Sequence, residues 1–184
     1  MSGQGLKPYN RPINHIAISC SDLTALVAYY TELLGFQLIG EIRHFKRSED
    51  QTPFEAIFVS YPSTLQELKF AILATGNGVG IECFEFIDPT IKPREEAFEF
   101  TRPGFFHICI TDPNPEVLVE NIKQRGGRTL GQWMDYSRYG LEEHRGIYTQ
   151  DPWGNVVEIM SLTLERVASA GEAMATLLKV QAKM

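Results

Sequence analysis

Apolar residues recur along this chain in two rhythms, one extended and one helical, and the order of those rhythms occurs twice. Ile13 to Ser19 is a β-rich alternating run, which predicts a strand. Leu23, Leu26, Val27, Tyr30, Leu33 and Leu34 then recur at helical spacing, with Ser21 or Asp22 placed to cap the helix and Gly35 to end it. Further strands are predicted over 36–45, 54–61, 68–74 and 79–87. Between them lie turn chemistry at Ser48–Pro53, a polar insertion at Pro62–Glu67 and a tight turn at Gly76-Asn77-Gly78. Residues 88–104 carry three prolines and several charges, so the connector is placed at 90–104.

The order then returns: a strand over 105–111, a helix over 115–125, and strands near 129–134, 145–150 and 155–161. A shift of 92 residues carries His15 onto His107, Ile16 onto Ile108 and Ile18 onto Ile110. It also carries Leu26 onto Leu118, Val27 onto Val119 and Gly35 onto Gly127. The prediction is an α+β chain of two β-α-β-β-β modules, forming one domain overall. Its parts are a lead-in at 1–12, modules at 13–89 and 105–162, and a terminal amphipathic helix within 163–184 that packs on the body or on another subunit.

Composition narrows the partners. With 184 residues and 43% hydrophobic content, the chain can bury a substantial core. A net charge of -6 argues against nucleic acid, whose binding rests on clustered Lys and Arg. The three cysteines are widely spaced without a CxxC, so neither a disulfide framework nor a zinc knuckle is expected. Residues 1–8 hold no apolar signal core and no stretch approaches a membrane span, so a cytoplasmic protein is expected.

Chemistry enters with His15 and His107 at the repeated strand, and with two glutamates inside apolar runs. Those are Glu82 in Gly80-Ile81-Glu82-Cys83-Phe84 and Glu158 in Asn155-Val156-Val157-Glu158-Ile159. A lone strand histidine is more often a core or edge residue than a ligand, and a lone strand glutamate more often faces solvent. Four such residues at matching places in two repeats weigh the other way. A carboxylate flanked by apolar neighbours needs a compensating positive charge. Two imidazoles and two carboxylates offer a mixed shell suited to one divalent Ni, Co, Zn, Mn or Fe(II) ion. Strand parity places Glu82 and Glu85 on opposite faces without saying which of them faces inward.

These residues resemble the vicinal oxygen chelate superfamily, the glyoxalase, bleomycin-resistance and dioxygenase family. The likeness lies in His15-Ile16-Ala17-Ile18-Ser19-Cys20-Ser21-Asp22-Leu23, in Tyr29-Tyr30 with Leu33-Leu34-Gly35-Phe36, and in Asp151-Pro152-Trp153-Gly154-Asn155-Val156-Val157-Glu158-Ile159. The resemblance implies paired βαβββ modules in an open cup-shaped mixed sheet with a metal inside. It implies His15, Glu82, His107 and Glu158 as the ligands, and it favours Glu82 over Glu85. Cys83-Phe84-Glu85-Phe86 departs from the corresponding run of glyoxalase I, which points to a specialised relative.

Catalytic roles are expected for Glu158, Glu82, His44 and Tyr148. Tyr136, Tyr139, His144 and Arg145 lie in a neighbouring segment that Gly140 marks as a flap, and Cys109 reads as a small buried hydrophobe. The leading expectation is a metal-dependent glyoxalase-like lyase or isomerase. It would bind vicinal oxygens of a small oxygenated substrate and stabilise an enolate, with the chain as a homodimer. The alternatives are a ring-cleaving Fe(II) dioxygenase, or a non-catalytic protein that sequesters a planar compound with Phe84, Phe86, Phe105 and Trp133.

Overall fold

The computed structural model describes residues 11–92, 95, 96 and 98–182, so most of the expected lead-in lies outside the described residues. The chain divides into two compact units, Met1–Thr90 and Ile91–Met184. Each holds one β-α-β-β-β module with its own four-stranded mixed sheet.

In the first unit β1 (His15–Ser19), α1 (Leu23–Leu34), β2 (Gln37–Lys46), β3 (Glu67–Ala74) and β4 (Gly80–Asp88) follow in order. The sheet runs β1-β4-β3-β2, with β1 parallel to β4 and the other pairs antiparallel. Of the two expected caps it is Asp22 that closes α1, its carboxylate accepting the Ala25 N–H at 3.0 Å. Gly35 ends the helix in the left-handed conformation, φ 68°. Leu23, Leu26, Val27 and Tyr30 form the buried face of α1, which packs on β2, β3 and β4 over Leu73, Ile81 and Cys83.

The second unit repeats this with β5 (Ile108–Thr111), α2 (Pro115–Gln124), β6 (Arg128–Asp135), β7 (Arg145–Gln150) and β8 (Val156–Met160), in the order β5-β8-β7-β6. Leu118, Val119 and Ile122 are the buried positions of α2, and they cover Ile147, Val157 and Ile159. The repeat placed Gly127 at the position of Gly35, but α2 has 10 residues against 12 in α1. The left-handed glycine is therefore Gly126, φ 86°. Helix α3 (Leu164–Gln181) follows, with Val167 and Ala170 packed on Tyr136, Leu141, Met160 and Leu162. Among the described residues no helix is long and apolar enough to cross a membrane.

The strand expected over 54–61 is absent. Residues Glu55–Phe58 form a 3₁₀ turn between β2 and β3 instead. Phe54, Ile57, Phe58 and Tyr61 fall at helical spacing, and the segment folds against the sheet. Phe58 is buried with Phe45, Leu65, Leu68 and Phe84, and Ile57 and Tyr61 pack beside it. The guanidinium of Arg43 lies 4.0 Å from the Phe54 ring centroid and that of Arg47 4.6 Å from Phe58. The segment is thus a cover for one face of the sheet.

Candidate functional site

Pairing register decides which side chains share a face. Across the first sheet Ala17, Glu82, Ile72 and Ile39 stand opposite one another, on the face away from α1. His15 lies opposite Gly80, and Glu82 is the next residue of β4 on that face. The His15 Nε2 sits 3.5 Å from Glu82 Oε2. Glu85 points to the other side, where its Oε2 accepts the Leu23 N–H at 2.8 Å and its Oε1 accepts from Lys69 Nζ at 3.0 Å. Glu82 thus accompanies His15, while Glu85 fastens the start of α1. Glu85→Ala is expected to cost about 2–3 kcal/mol in thermal denaturation and leave metal affinity intact. Glu82→Ala should do the reverse.

The second unit builds the same pair. Ile108 stands opposite Val157, so His107, immediately before β5, reaches Glu158 two residues along β8 from its own partner position. The distance from His107 Nε2 to Glu158 Oε2 is 3.2 Å. Glu158 is only 9% exposed, and Cys109 and Tyr148 flank it directly on β5 and β7. The first unit has Ala17 and Ile72 in those two places.

Burial, followed by the Glu158 charge and a hydrogen bond to that carboxylate, pushes the Cys109 thiol up to about 12. It therefore remains protonated at neutral pH, with its sulfur 3.8 Å from the Ile110 carbonyl oxygen, and its exposure corrects the reading of Cys109 as a buried hydrophobe. Tyr148 is raised by burial and then by Glu158. The same two causes, in the same order, bring Tyr136 to about 12. In the first unit Tyr61, edge-on to Phe84 at 6.2 Å, is raised by burial and then by the Glu82 charge. Tyr61 lies in the segment expected as a strand, which gave it no role; the helical spacing of its aromatic neighbours is the signal that marks it.

Whether these pairs suit a divalent ion can be tested on their hydrogen bonds. His15 Nδ1 is 2.7 Å from Asn14 Oδ1, and donation there leaves a lone pair on Nε2, turned toward the Glu82 carboxylate. Two acceptors face to face need a proton or a cation between them. A partner on the far ring nitrogen is also what a metal-bound imidazole ordinarily has. Among the described residues the His107 Nδ1 is buried without a hydrogen-bond partner, its ring wedged between Phe106 and Tyr148. The donor set fits a divalent ion, with the first unit better prepared in its outer contacts. Among the described residues no three or more His, Cys, Asp or Glu side chains gather as a metal-binding group, so the pair is what each unit presents.

Other expected residues lie elsewhere. His44 stands opposite Lys69 and Glu85, on the face away from Glu82, and its Nε2 is 2.7 Å from Glu67 Oε1. Its neighbour Phe45 is 6% exposed and takes the Glu82 face with Leu68 and Phe84, which turns His44 to the other side. His44 therefore does not share the face of Glu82, and His44→Ala should change metal affinity and turnover less than about twofold, within the range of ordinary surface substitutions.

Arg145 binds Glu116 of α2 at 2.9 Å and lies over Trp133, away from Glu158. His144 Nδ1 meets Ser161 Oγ at 3.1 Å. The segment expected as a flap is pinned by Tyr136 and Leu141 within the cluster that α3 covers, and Tyr139 packs at its edge. Phe84 and Phe86 stack on each other at 5.3 Å, and Phe84 belongs to the first unit's core.

Comparison with known proteins agrees with this architecture. The model of the glyoxalase/bleomycin resistance protein/dioxygenase superfamily matches residues 12–159. The chain belongs to that superfamily. The chain is 25% identical over 166 residues to 2-epi-5-epi-valiolone epimerase from Actinomyces sp, covering 88% of this chain and 85% of that protein. It is 31% identical over 122 residues to the uncharacterized protein YwkD of Bacillus subtilis (strain 168), covering 65% and 75%. A glyoxalase family protein from Bacillus cereus shares the fold with a TM-score of 0.62 at 16% identity, over 85% of this chain and 96% of that one. The fosfomycin resistance protein FosX of Listeria monocytogenes, in a structure with Mn(II) and sulfate, does so with 0.51 at 18% identity, over 85% and 97%.

Proposed function

We propose that this chain is a metal-dependent isomerase of the epimerase type, acting on a small oxygenated ketone. His15, Glu82, His107 and Glu158 would hold one divalent ion, with the modules contributed by one chain or by two. The observation that carries the reading is the pair itself: an imidazole Nε2 set against a carboxylate at 3.5 Å in one unit and at 3.2 Å in the other. The epimerase named among the relatives and the Mn(II) held by FosX support it.

A divalent ion supplies polarisation of a carbonyl, which makes the hydrogen on the adjacent carbon removable. The chain's own groups then divide the labour. Glu82, with its side chain 31% exposed and flanked by Ala17 and Ile72, has strand neighbours that offer it no hydrogen bond, so its carboxylate is free to take a proton. Glu158, at 12%, is the more enclosed carboxylate, with His107 beside it and Cys109 opposite it across the ladder. Tyr148 presents a protonated phenol beside it, able to donate to an oxygen of the substrate.

The test is proton exchange. Protein reconstituted with Mn(II), Co(II), Ni(II), Zn(II) or Fe(II) is incubated with small hydroxyketones in D2O and followed by NMR. The compound in the Actinomyces relative's name is the first to try. Deuterium should enter next to the carbonyl only with metal present. If no ion supports exchange on any ketone, and ligands bind tightly regardless of chelator, the sequestering alternative replaces this reading.

A further inference from the structure

Gly146 on β7 stands opposite Met160, two residues before Tyr148, so a side chain there would rise on the Glu158 face. That space is taken. A Cβ at Gly146 would meet Tyr136 Oη at 2.6 Å, and the Ile159 carbonyl oxygen and Met134 Cε at 3.3 Å. Tyr136 itself is 7% exposed, with its ring among Leu141, Met160 and Leu162 under α3. Its backbone N–H is fixed to the His144 carbonyl at 3.1 Å.

Among the described residues its hydroxyl makes no hydrogen bond, and it is not one of the buried unpaired polar atoms, so the ring is held deep while the hydroxyl itself reaches solvent. A tyrosine placed this way, with an apolar body and a wet tip, is suited to meet a ligand oxygen at the edge of an opening. The bare Gly146 leaves the space that this hydroxyl occupies, near enough to Glu158 for that charge to act on it.

We infer that Tyr136 is a ligand-binding residue: its hydroxyl donates a hydrogen bond to an oxygen of a small oxygenated ligand beside Glu158, and Gly146 keeps the room for it. This rests on the function proposed above and adds a specificity contact to it. A phenol donates at neutral pH, since its ordinary pKa is about 10. The contact selects ligands with an oxygen acceptor at that point over analogues that carry a methylene there, which would leave the hydroxyl unpaired.

Oxalate, a small two-oxygen chelator, is a suitable probe on Mn(II)-loaded protein, read by calorimetry alongside thermal melting of the metal-free forms. Tyr136→Phe should weaken oxalate about tenfold and leave Mn(II) affinity unchanged, while the melting temperature stays level or rises. A purely structural hydroxyl predicts the opposite, a lower melting temperature with oxalate untouched. Gly146→Ala should also weaken oxalate, but should add little once Tyr136 is already phenylalanine. Mn(II) bound normally by Tyr136→Phe with wild-type oxalate affinity overturns this inference alone. Wild-type protein that binds no Mn(II) overturns the metal reading and this inference with it.

Discussion

Replacing Glu158 with glutamine is expected to abolish metal-dependent activity and, in chelator, to make the protein more stable. The two effects have one cause. Glu158 is 9% exposed, and among the described residues the imidazole of His107 at 3.2 Å is its one ion-pair partner. The effective cost of burying an unneutralised carboxylate is several kcal/mol. Glutamine keeps the shape and sheds that charge, so the metal-free variant should melt higher than the metal-free parent.

Saturating metal reverses the order. An ion that binds only the folded parent stabilises it by about 4 kcal/mol at a thousandfold excess over Kd, and the variant forgoes this. Turnover should fall on the order of a thousandfold. His15→Ala should likewise lose the ion, although it carries no buried charge and should gain nothing in chelator. Melting curves recorded with EDTA and with Mn(II) check both claims. A Glu158→Gln protein that keeps its metal, or melts below the parent in both conditions, would sink the role assigned to Glu158.

Much of the fold was legible because the chain repeats itself. The shift that carries His15 onto His107 also carries the buried helix positions Leu26 and Val27 onto Leu118 and Val119. A buried helix face and a half-buried strand leave strong local periodicities, and these were read correctly. What local pattern lacks is register. Parity separated Glu82 from Glu85 without orienting either; only pairing to β1 and β3 puts Glu82 with His15 and Glu85 on Lys69 and the Leu23 amide.

The face that His44 takes is hidden from the sequence for the same reason. It is set by the burial of Phe45 against Leu68 and Phe84, partners far away in sequence. Over Phe54–Tyr61, aromatic and β-branched residues suggested a strand, yet their spacing is helical and their burial comes from long-range packing on Phe45 and Phe84. The pairing of each repeated histidine with its own module's glutamate was legible in the repeat. Tyr148 and Tyr136 could also be named from the sequence, whereas Tyr61 could not, because it arrives on a loop whose course depends on the core beneath it.

The other large effect is expected in a turn. Asp151, 6% exposed, accepts the Trp153 N–H at 3.0 Å and the Asn155 N–H at 2.7 Å on one oxygen. Its second oxygen accepts Asn155 Nδ2 at 2.9 Å, and its own N–H is bound by the Asn155 carbonyl at 2.9 Å. Gly154 makes the reversal possible with φ 93°. This turn launches β8 and so sets where Glu158 stands.

Asp151→Ala removes the acceptor for three donors in a buried place, each worth about 1–3 kcal/mol when left unsatisfied. With water reaching part of the opened turn, a net loss of roughly 3–5 kcal/mol is expected, or about 10 °C in melting temperature for a chain of this size. Metal affinity should fall about 10- to 100-fold, as it does when the supports behind ligands are removed. Asp151→Asn retains one acceptor oxygen and should recover part of both losses. An alanine variant that melts within about 2 °C of the parent and keeps its metal affinity would show that β8 is held by its ladder alone, with the turn following passively.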